Sequence, residues 1–147
     1  MAGHVTEDFG LVSCIDADAN APGTFWGDAV DMGSYHKIVY ILSCGTMAAS
    51  ATADYAVWGA TTSNGTYGAI TGGSATQLTQ AGSDSDKQVI IEMDAQTVLR
   101  AGYRYVKDRL LVGTDAVDSG TIGLAFFPRH GPATAGDLAS VDEIVTA

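Results

Sequence analysis

Short segments in which apolar and polar residues alternate are the main signal of this chain. In residues 87–94, Val89, Ile91 and Met93 fall on one side of an extended backbone, since side chains alternate along a strand. Residues 35–44 are β-branched and aromatic and largely apolar on both sides, which is typical of a central strand. Turn signals recur roughly every ten residues, a spacing that favours a β-sandwich or barrel.

The remaining elements follow from the same pattern. Strands are predicted in residues 24–33, 51–58, 67–70, 75–79, 103–112 and 121–127, and one helical turn in residues 94–101. We therefore predict an all-β fold, with a β-sandwich or jelly-roll-like body.

The two ends of the chain lack this alternation. Residues 16–23 are rich in Ala, Asp, Asn, Pro and Gly, a composition that breaks regular structure. We predict an irregular N-terminal arm in residues 1–23, a body in 24–132 and a C-terminal tail in 133–147. The tail has apolar residues at helical spacing, so that both a short helix and an extended arm fit it.

Charge excludes some classes of partner. The 17 acidic and 7 basic residues give a net charge of −10, which argues against binding to nucleic acid or to an anionic membrane. Charged residues make up only 16% of the chain, below the usual quarter or so, and this favours packing against a protein partner. The start of the chain lacks the apolar stretch of a signal peptide.

Candidate chemistry is sparse. The three histidines, His4, His36 and His130, form no motif with a nucleophile. The acidic run that begins at Asp16 resembles the start of a calcium loop, but its positions six and twelve hold Ala21 and Gly27 instead of Gly and Glu. The sequence therefore predicts no catalytic residues, metal or cofactor, and a protein that is not an enzyme. It leaves open a looser calcium site in the acidic run.

Two residue types leave alternatives open. Cys14 and Cys44 fit small buried hydrophobes better than a redox pair, and the sequence leaves a disulfide between them undecided.

Trp58, beside Gly59 at the end of a strand, is a candidate for an interface, and Trp58 with Tyr67 is the one candidate for a glycan-binding platform.

Several motifs between residues 38 and 132 resemble small head proteins of phages and prophages. They are a Ser/Thr/Gly turn leading into Tyr67-Gly68-Ala69-Ile70-Thr71-Gly72, then Ala75-Thr76-Gln77-Leu78-Thr79, Gly102-Tyr103-Arg104-Tyr105-Val106 and Pro128-Arg129-His130-Gly131-Pro132. Proteins of this kind are capsid decoration or cement proteins of tailed phages. The resemblance implies a β-sandwich or jelly-roll-like body that binds the outer lattice of the major capsid protein, often as a trimer.

The resemblance sets the functional expectation. We expect a structural protein of the virion that is made in the host cytoplasm, binds the outer capsid surface and stabilises the phage head. We also expect self-association as a homotrimer, with a dimer as the alternative. The other functional hypothesis is a tail or head-surface module that binds glycans. The predicted capsid or subunit interface consists of Phe9, Leu11, Trp26, Trp58, Tyr67, Arg129, Leu138 and Val141.

Overall fold

Ten strands and one helix make up the regular structure of the protein, for which a computed structural model describes residues 3–146. Residues 1, 2 and 147 of the predicted arm and tail lie outside the described part. The strands are β1 (Phe9–Asn20), β2 (Gly23–Trp26), β3 (Val30–Asp31), β4 (Tyr35–Met47), β5 (Thr52–Ala60), β6 (Gly68–Ser74), β7 (Leu78–Thr79), β8 (Gln88–Asp94), β9 (Tyr105–Gly113) and β10 (Val117–Pro128). The helix α1 (Ala95–Arg100) and two 3-10 turns, Val5–Glu7 and Ala133–Gly136, complete the set.

The strands form two antiparallel sheets. One sheet has four strands in the order β1-β10-β4-β8. The other has six, with β2-β9-β5-β6 as its main path, β3 paired to β9 and β7 paired to β5. This order, with the chain crossing from sheet to sheet, is that of an eight-stranded jelly roll to which two short strands have been added. The predicted fold class is confirmed.

The core lies between the two sheets and is built from one side of each long strand. Tyr40 and Leu42 of β4 face Tyr55, Val57 and residues of β9 across the interior, and these four side chains are almost fully buried. The residues of β10 that point into the core are small. At Gly123 there is no room for a side chain, because an added Cβ would lie 2.8 Å from the Tyr40 ring. The larger residues of β10 therefore point away from the core, to the outer surface of the four-stranded sheet.

The prediction of an irregular arm is wrong for residues 9–20, which form β1. This strand pairs with β10 from Phe9 opposite Phe126 to Asn20 opposite Val117. The pairing shifts register twice, between Leu11 and Ser13 and between residues 15 and 18. Each shift inserts a bulge that interrupts the alternation of side chains, so that the sequence of β1 carries no clear strand period.

The beginning of the C-terminal tail is also fixed to the body. Ala133 is fully buried, and the backbone N–H of Leu138 donates a 2.8 Å hydrogen bond to the carbonyl of Leu11 on β1. From residue 137 to residue 146 the backbone forms neither helix nor strand and makes one turn, in which the N–H of Val141 donates to the carbonyl of Leu138. The division of the chain into arm, body and tail stays a prediction.

Candidate interaction surfaces

A buried carboxylate ties the two sheets together. Asp108 of β9 is fully buried and accepts hydrogen bonds from three hydroxyl groups, at 2.9 Å from Ser13, 3.0 Å from Tyr55 and 2.5 Å from Thr121. These donors belong to β1, β5 and β10. Burial, followed by the charge of Asp108, strongly raises the pKa of Tyr55, which therefore remains a neutral hydrogen-bond donor. The backbone at Gly27 packs directly against the Asp108 carboxylate, because a Cβ added to Gly27 would lie 1.9 Å from it.

The outer surface of the six-stranded sheet carries what we call the aromatic–cationic cluster, made of Trp26, Trp58, Tyr67, Lys107 and Arg109. The strand register builds it, because Trp26 of β2 lies opposite Arg109 and Trp58 of β5 lies opposite Lys107 of β9. The rings of Trp26 and Trp58 meet edge to face at 5.6 Å, with 88° between their planes. Tyr67 lies 6.1 Å from Trp26, between ring centres.

The two cations of the cluster rest on aromatic rings. The Arg109 guanidinium lies 4.9 Å from the centre of the Trp58 ring and 5.8 Å from that of Trp26. The Lys107 ammonium lies 5.0 Å from the centre of the Tyr67 ring. Within residues 3–146, no carboxylate lies within 4.0 Å of either cation. The cluster is thus a positively charged site on a strongly acidic protein.

A polar turn borders the cluster. The Tyr67 hydroxyl donates a 2.9 Å hydrogen bond to the carbonyl of Ser63, which fixes the ring against the turn. Residues 63–66 then form one wall of a shallow groove, and Trp26, Tyr67 and Lys107 form the other. The groove offers hydroxyl and amide groups beside aromatic surface and a cation.

The outer surface of the four-stranded sheet carries an apolar band, flanked by polar residues that include the Lys37–Glu92 ion pair. Ile90 of β8, Ile41 of β4 and Ile122 of β10 are direct neighbours across three strands, and we call them the isoleucine row. Ile90 is 67% exposed and Ile122 38% exposed. On β1, Cys14 lies opposite Ile122 and extends the row by one strand. An apolar groove with a volume of about 590 Å³ opens beside Cys14. An apolar band thus crosses the whole sheet.

The next band of the same surface is covered by the C-terminal tail. Leu124 of β10 lies opposite Leu11 of β1, and both line a cleft with Phe9, Val141 and Ile144. The Asp137 carboxylate accepts a 2.6 Å hydrogen bond from the backbone N–H of Leu11 and so fixes the start of this segment. The tail therefore shields part of the apolar surface and leaves the isoleucine row open.

The structure divides the predicted interface residues into three groups. Trp26, Trp58 and Tyr67 come together in the aromatic–cationic cluster. Phe9, Leu11 and Val141 meet in the cleft under the tail, with Leu138 hydrogen-bonded beside them. Arg129 lies apart, in a different cleft with Leu99 and Tyr103. These placements locate the residues and leave their interface role a prediction.

Sequence reasoning missed the cations of the cluster and the isoleucine row. The alternation of β9 holds a signal for the cations, since it places Lys107 and Arg109 on the side opposite the buried Val106 and Leu110. For Ile122 the sequence offers no such signal, because nothing in the small residues Gly123 and Ala125 indicates that they form the core-facing side of β10.

The cysteines are two free thiols, Cys14 half-buried on β1 and Cys44 buried on β4. Desolvation, followed by the charge of Asp16, raises the pKa of Cys14, and desolvation followed by Asp86 raises that of Cys44. Both thiols are therefore weak nucleophiles. Within the described residues, no three His, Cys, Asp or Glu side chains are grouped so that they could hold a metal ion. No helix in the same range is long and apolar enough to cross a membrane.

Three of the solved structures that are similar to this chain come from a prophage and two viruses. The SPBc2 prophage-derived protein YomS is similar with a TM-score of 0.47 and 14% identity, over 80% of this chain and 94% of that one. A structure of infectious bursal disease virus, Gt strain, has a TM-score of 0.43 and 7% identity over 86% of this chain, which spans 33% of that one. The coat protein of tobacco streak virus has a TM-score of 0.37 and 7% identity, over 85% and 90% of the two chains.

These structural similarities are loose, and the sequence comparisons add no family. No known family model matches the chain, and no curated protein matches it in sequence. The assignment as a jelly roll rests on the strand order of the protein itself, and the resemblance to phage decoration proteins rests on the motifs in residues 38–132.

Proposed function

We propose that the protein is a structural component of a phage virion that binds the outer surface of the major capsid lattice through the isoleucine row. The observation that carries the proposal is this apolar band, Ile41, Ile90 and Ile122, on the outer surface of the four-stranded sheet. The motifs shared with decoration proteins supply the kind of partner. The jelly-roll fold alone would not indicate a partner, since this fold serves many functions.

The exposure of the row supports a protein partner. Isolated apolar residues are common on surfaces, but a contiguous apolar band is typical of an interface. Burial of an exposed Ile side chain stabilises a complex by about 1.5–3 kcal/mol at most. Ile90 and Ile122 together could therefore change the affinity for the lattice by tenfold or more, since about 1.4 kcal/mol corresponds to tenfold.

Cementing follows from binding to the assembled shell. A ligand that binds the assembled state and not the free subunits stabilises that state by mass action, and many copies per shell act together. Residues 9–20 form β1, and the turn Ala133–Gly136 and Leu138 contact it, so that the contact with the lattice is assigned to the sheet surface and not to these segments. Trimer formation, with a dimer as the alternative, is part of the proposal and is measurable by sedimentation velocity.

The test is a pelleting assay with purified capsids that lack the protein. Wild type should bind saturably, at a fixed ratio to the major capsid protein, and raise the temperature at which the capsid is disrupted. The double variant Ile90→Ser/Ile122→Ser should bind at least about tenfold more weakly. Leu99→Ser is the matched control, since Leu99 is 66% exposed and lies on α1, away from the row.

Two results would contradict the proposal. Failure of the wild type to bind any form of the head would remove the capsid as partner. Equal binding by the double variant and the wild type would remove the isoleucine row as the contact.

A further inference from the structure

We propose that the aromatic–cationic cluster is a binding site for a saccharide that carries a carboxylate. This site lies on the outer surface of the six-stranded sheet, whereas the capsid contact is assigned to the four-stranded sheet on the other side of the sandwich. The inference is therefore independent of the capsid-binding proposal.

The aromatic side chains of the cluster fit a sugar ring. Trp26 is 42% exposed, and its ring meets that of Trp58 edge to face and not in a parallel stack, so that part of the Trp26 ring is accessible to a ligand. Aromatic faces carry partial negative charge, which suits the weakly positive C–H groups on one side of a pyranose. The groove beside Trp26, bordered by residues 63–66, adds hydroxyl and amide groups for the sugar hydroxyls.

The cations indicate that the saccharide is acidic. Lys37 and Arg104 each have a carboxylate partner, at 2.8 Å and 2.7 Å. Among the described residues the other five cations have none within 4.0 Å, and of these five only Lys107 and Arg109 rest on aromatic rings. A ring leaves the N–H groups of the cation able to donate to an incoming ligand, and the planar guanidinium matches a carboxylate with two parallel hydrogen bonds.

The overall charge of the protein limits the density of charge on the ligand. Two cations on a chain of net charge −10 cannot offset the repulsion of a closely spaced polyphosphate, and nucleic acid needs several phosphate contacts. A sugar acid places one carboxylate beside a large neutral body. That distribution matches one cationic pair beside three aromatic rings.

The chain contains a built-in probe for the site, because Trp26 and Trp58 are its two tryptophans and both belong to the cluster. The experiment titrates the full protein with an oligogalacturonate and records tryptophan fluorescence. The fully methyl-esterified oligosaccharide is the matched ligand, since it keeps the sugar backbone and removes the charge. We expect a saturable change with the acid, at millimolar concentrations or below, and binding at least about tenfold weaker with the ester.

Two variants separate the cations from the fold. Arg109→Gln and Lys107→Gln remove the charge and keep a polar side chain with part of its aliphatic stem. Each should weaken binding of the acid by about tenfold, with unchanged circular dichroism and unchanged affinity for the ester. Arg100→Gln on α1 is the control and should bind as the wild type does.

Three results would overturn the proposal. The first is no change in fluorescence with either oligosaccharide, and the second is equal affinity for acid and ester. The third is a fluorescence change that occurs on addition of capsids and not of saccharide, which would make the cluster a protein contact. The first two results leave the capsid proposal untouched, whereas the third would place a capsid contact on the six-stranded sheet, and the Ile90→Ser/Ile122→Ser variant then tests whether the isoleucine row is a contact as well.

Discussion

Removal of the buried carboxylate tests whether Asp108 is a main link between the sheets. In Asp108→Ala, the hydroxyls of Ser13, Tyr55 and Thr121 lose their common acceptor. A buried polar group without a partner costs about 1–3 kcal/mol, and three such groups set an upper limit of about 9 kcal/mol. Two gains offset part of this cost. The folded state no longer has to bury a carboxylate, and hydroxyl groups can rotate to other acceptors.

The net expectation is a loss of about 3–5 kcal/mol, the lower part of the range of about 3–9 kcal/mol for three unsatisfied hydroxyl groups, because the two gains offset the remainder. That is a large share of the roughly 5–15 kcal/mol of a typical domain. With about 2–4 °C per kcal/mol for a chain of this size, the melting temperature should fall by roughly 6–20 °C. Asp108→Asn keeps the shape and one acceptor oxygen, so that we expect a smaller loss of about 1–3 kcal/mol.

Thermal and urea unfolding of the three proteins, with Asp118→Ala as control, measures these values. Asp118 is exposed on β10, and its loss should change the free energy of unfolding by no more than about 0.5 kcal/mol. If Asp108→Ala is as stable as Asp118→Ala, the carboxylate contributes nothing net and the reasoning is refuted. An Asp108→Ala variant more stable than the wild type would show that desolvation of the carboxylate outweighs its three hydrogen bonds.

Two further predictions concern packing and pH. Gly123→Ala should lower the free energy of unfolding, measured with urea, by about 1–3 kcal/mol, because the added Cβ would lie 2.8 Å from the Tyr40 ring. Gly23→Ala is the control, since a Cβ there would lie 3.8 Å from its nearest atom. Equal stability of the two variants would contradict the prediction. The hydrogen bonds from Arg104 lower the pKa of Asp31, so that this pair stabilises the fold above the pKa of the unfolded chain, about 3.9, and the stabilisation is lost as the pH falls through the lowered value. Asp31→Asn should therefore melt below the wild type at pH 7 and match it at strongly acidic pH, and a difference that does not depend on pH would contradict this.

A strand could be predicted from sequence where apolar and polar residues alternate along that strand itself. β8 alternates without interruption, and its inward side, Val89, Ile91 and Met93, is the predicted one. β1 was missed because two bulges disturb its alternation. Asp108 could have been found, since it stands on the inward side of β9 between the buried Val106 and Leu110, where a carboxylate requires partners.

The candidate sites depend on contacts between distant strands and were less accessible. Trp26, Trp58 and Tyr67 could each be chosen as an aromatic residue near a strand end, but their meeting requires that β2 and β5 both pair with β9. The isoleucine row requires the order β8-β4-β10. Such an order is a property of the whole jelly roll and leaves no trace in the spacing of residues along the chain.

The two proposals together follow from the geometry of a sandwich. A protein that lies on a shell with one sheet necessarily presents the other sheet to the medium. The apolar band suits the buried position, because contact with a lattice removes it from water. The aromatic–cationic cluster suits the outward position, because Lys107 and Arg109 are only half-buried and Trp26 is exposed, so that both the cations and the ring can contact a ligand. Reversal of the two sides would bury Lys107 and Arg109 and leave Ile90 and Ile122 in water. That orientation would be favourable only against an acidic patch of the lattice, and the two sets of variants distinguish it from the one proposed.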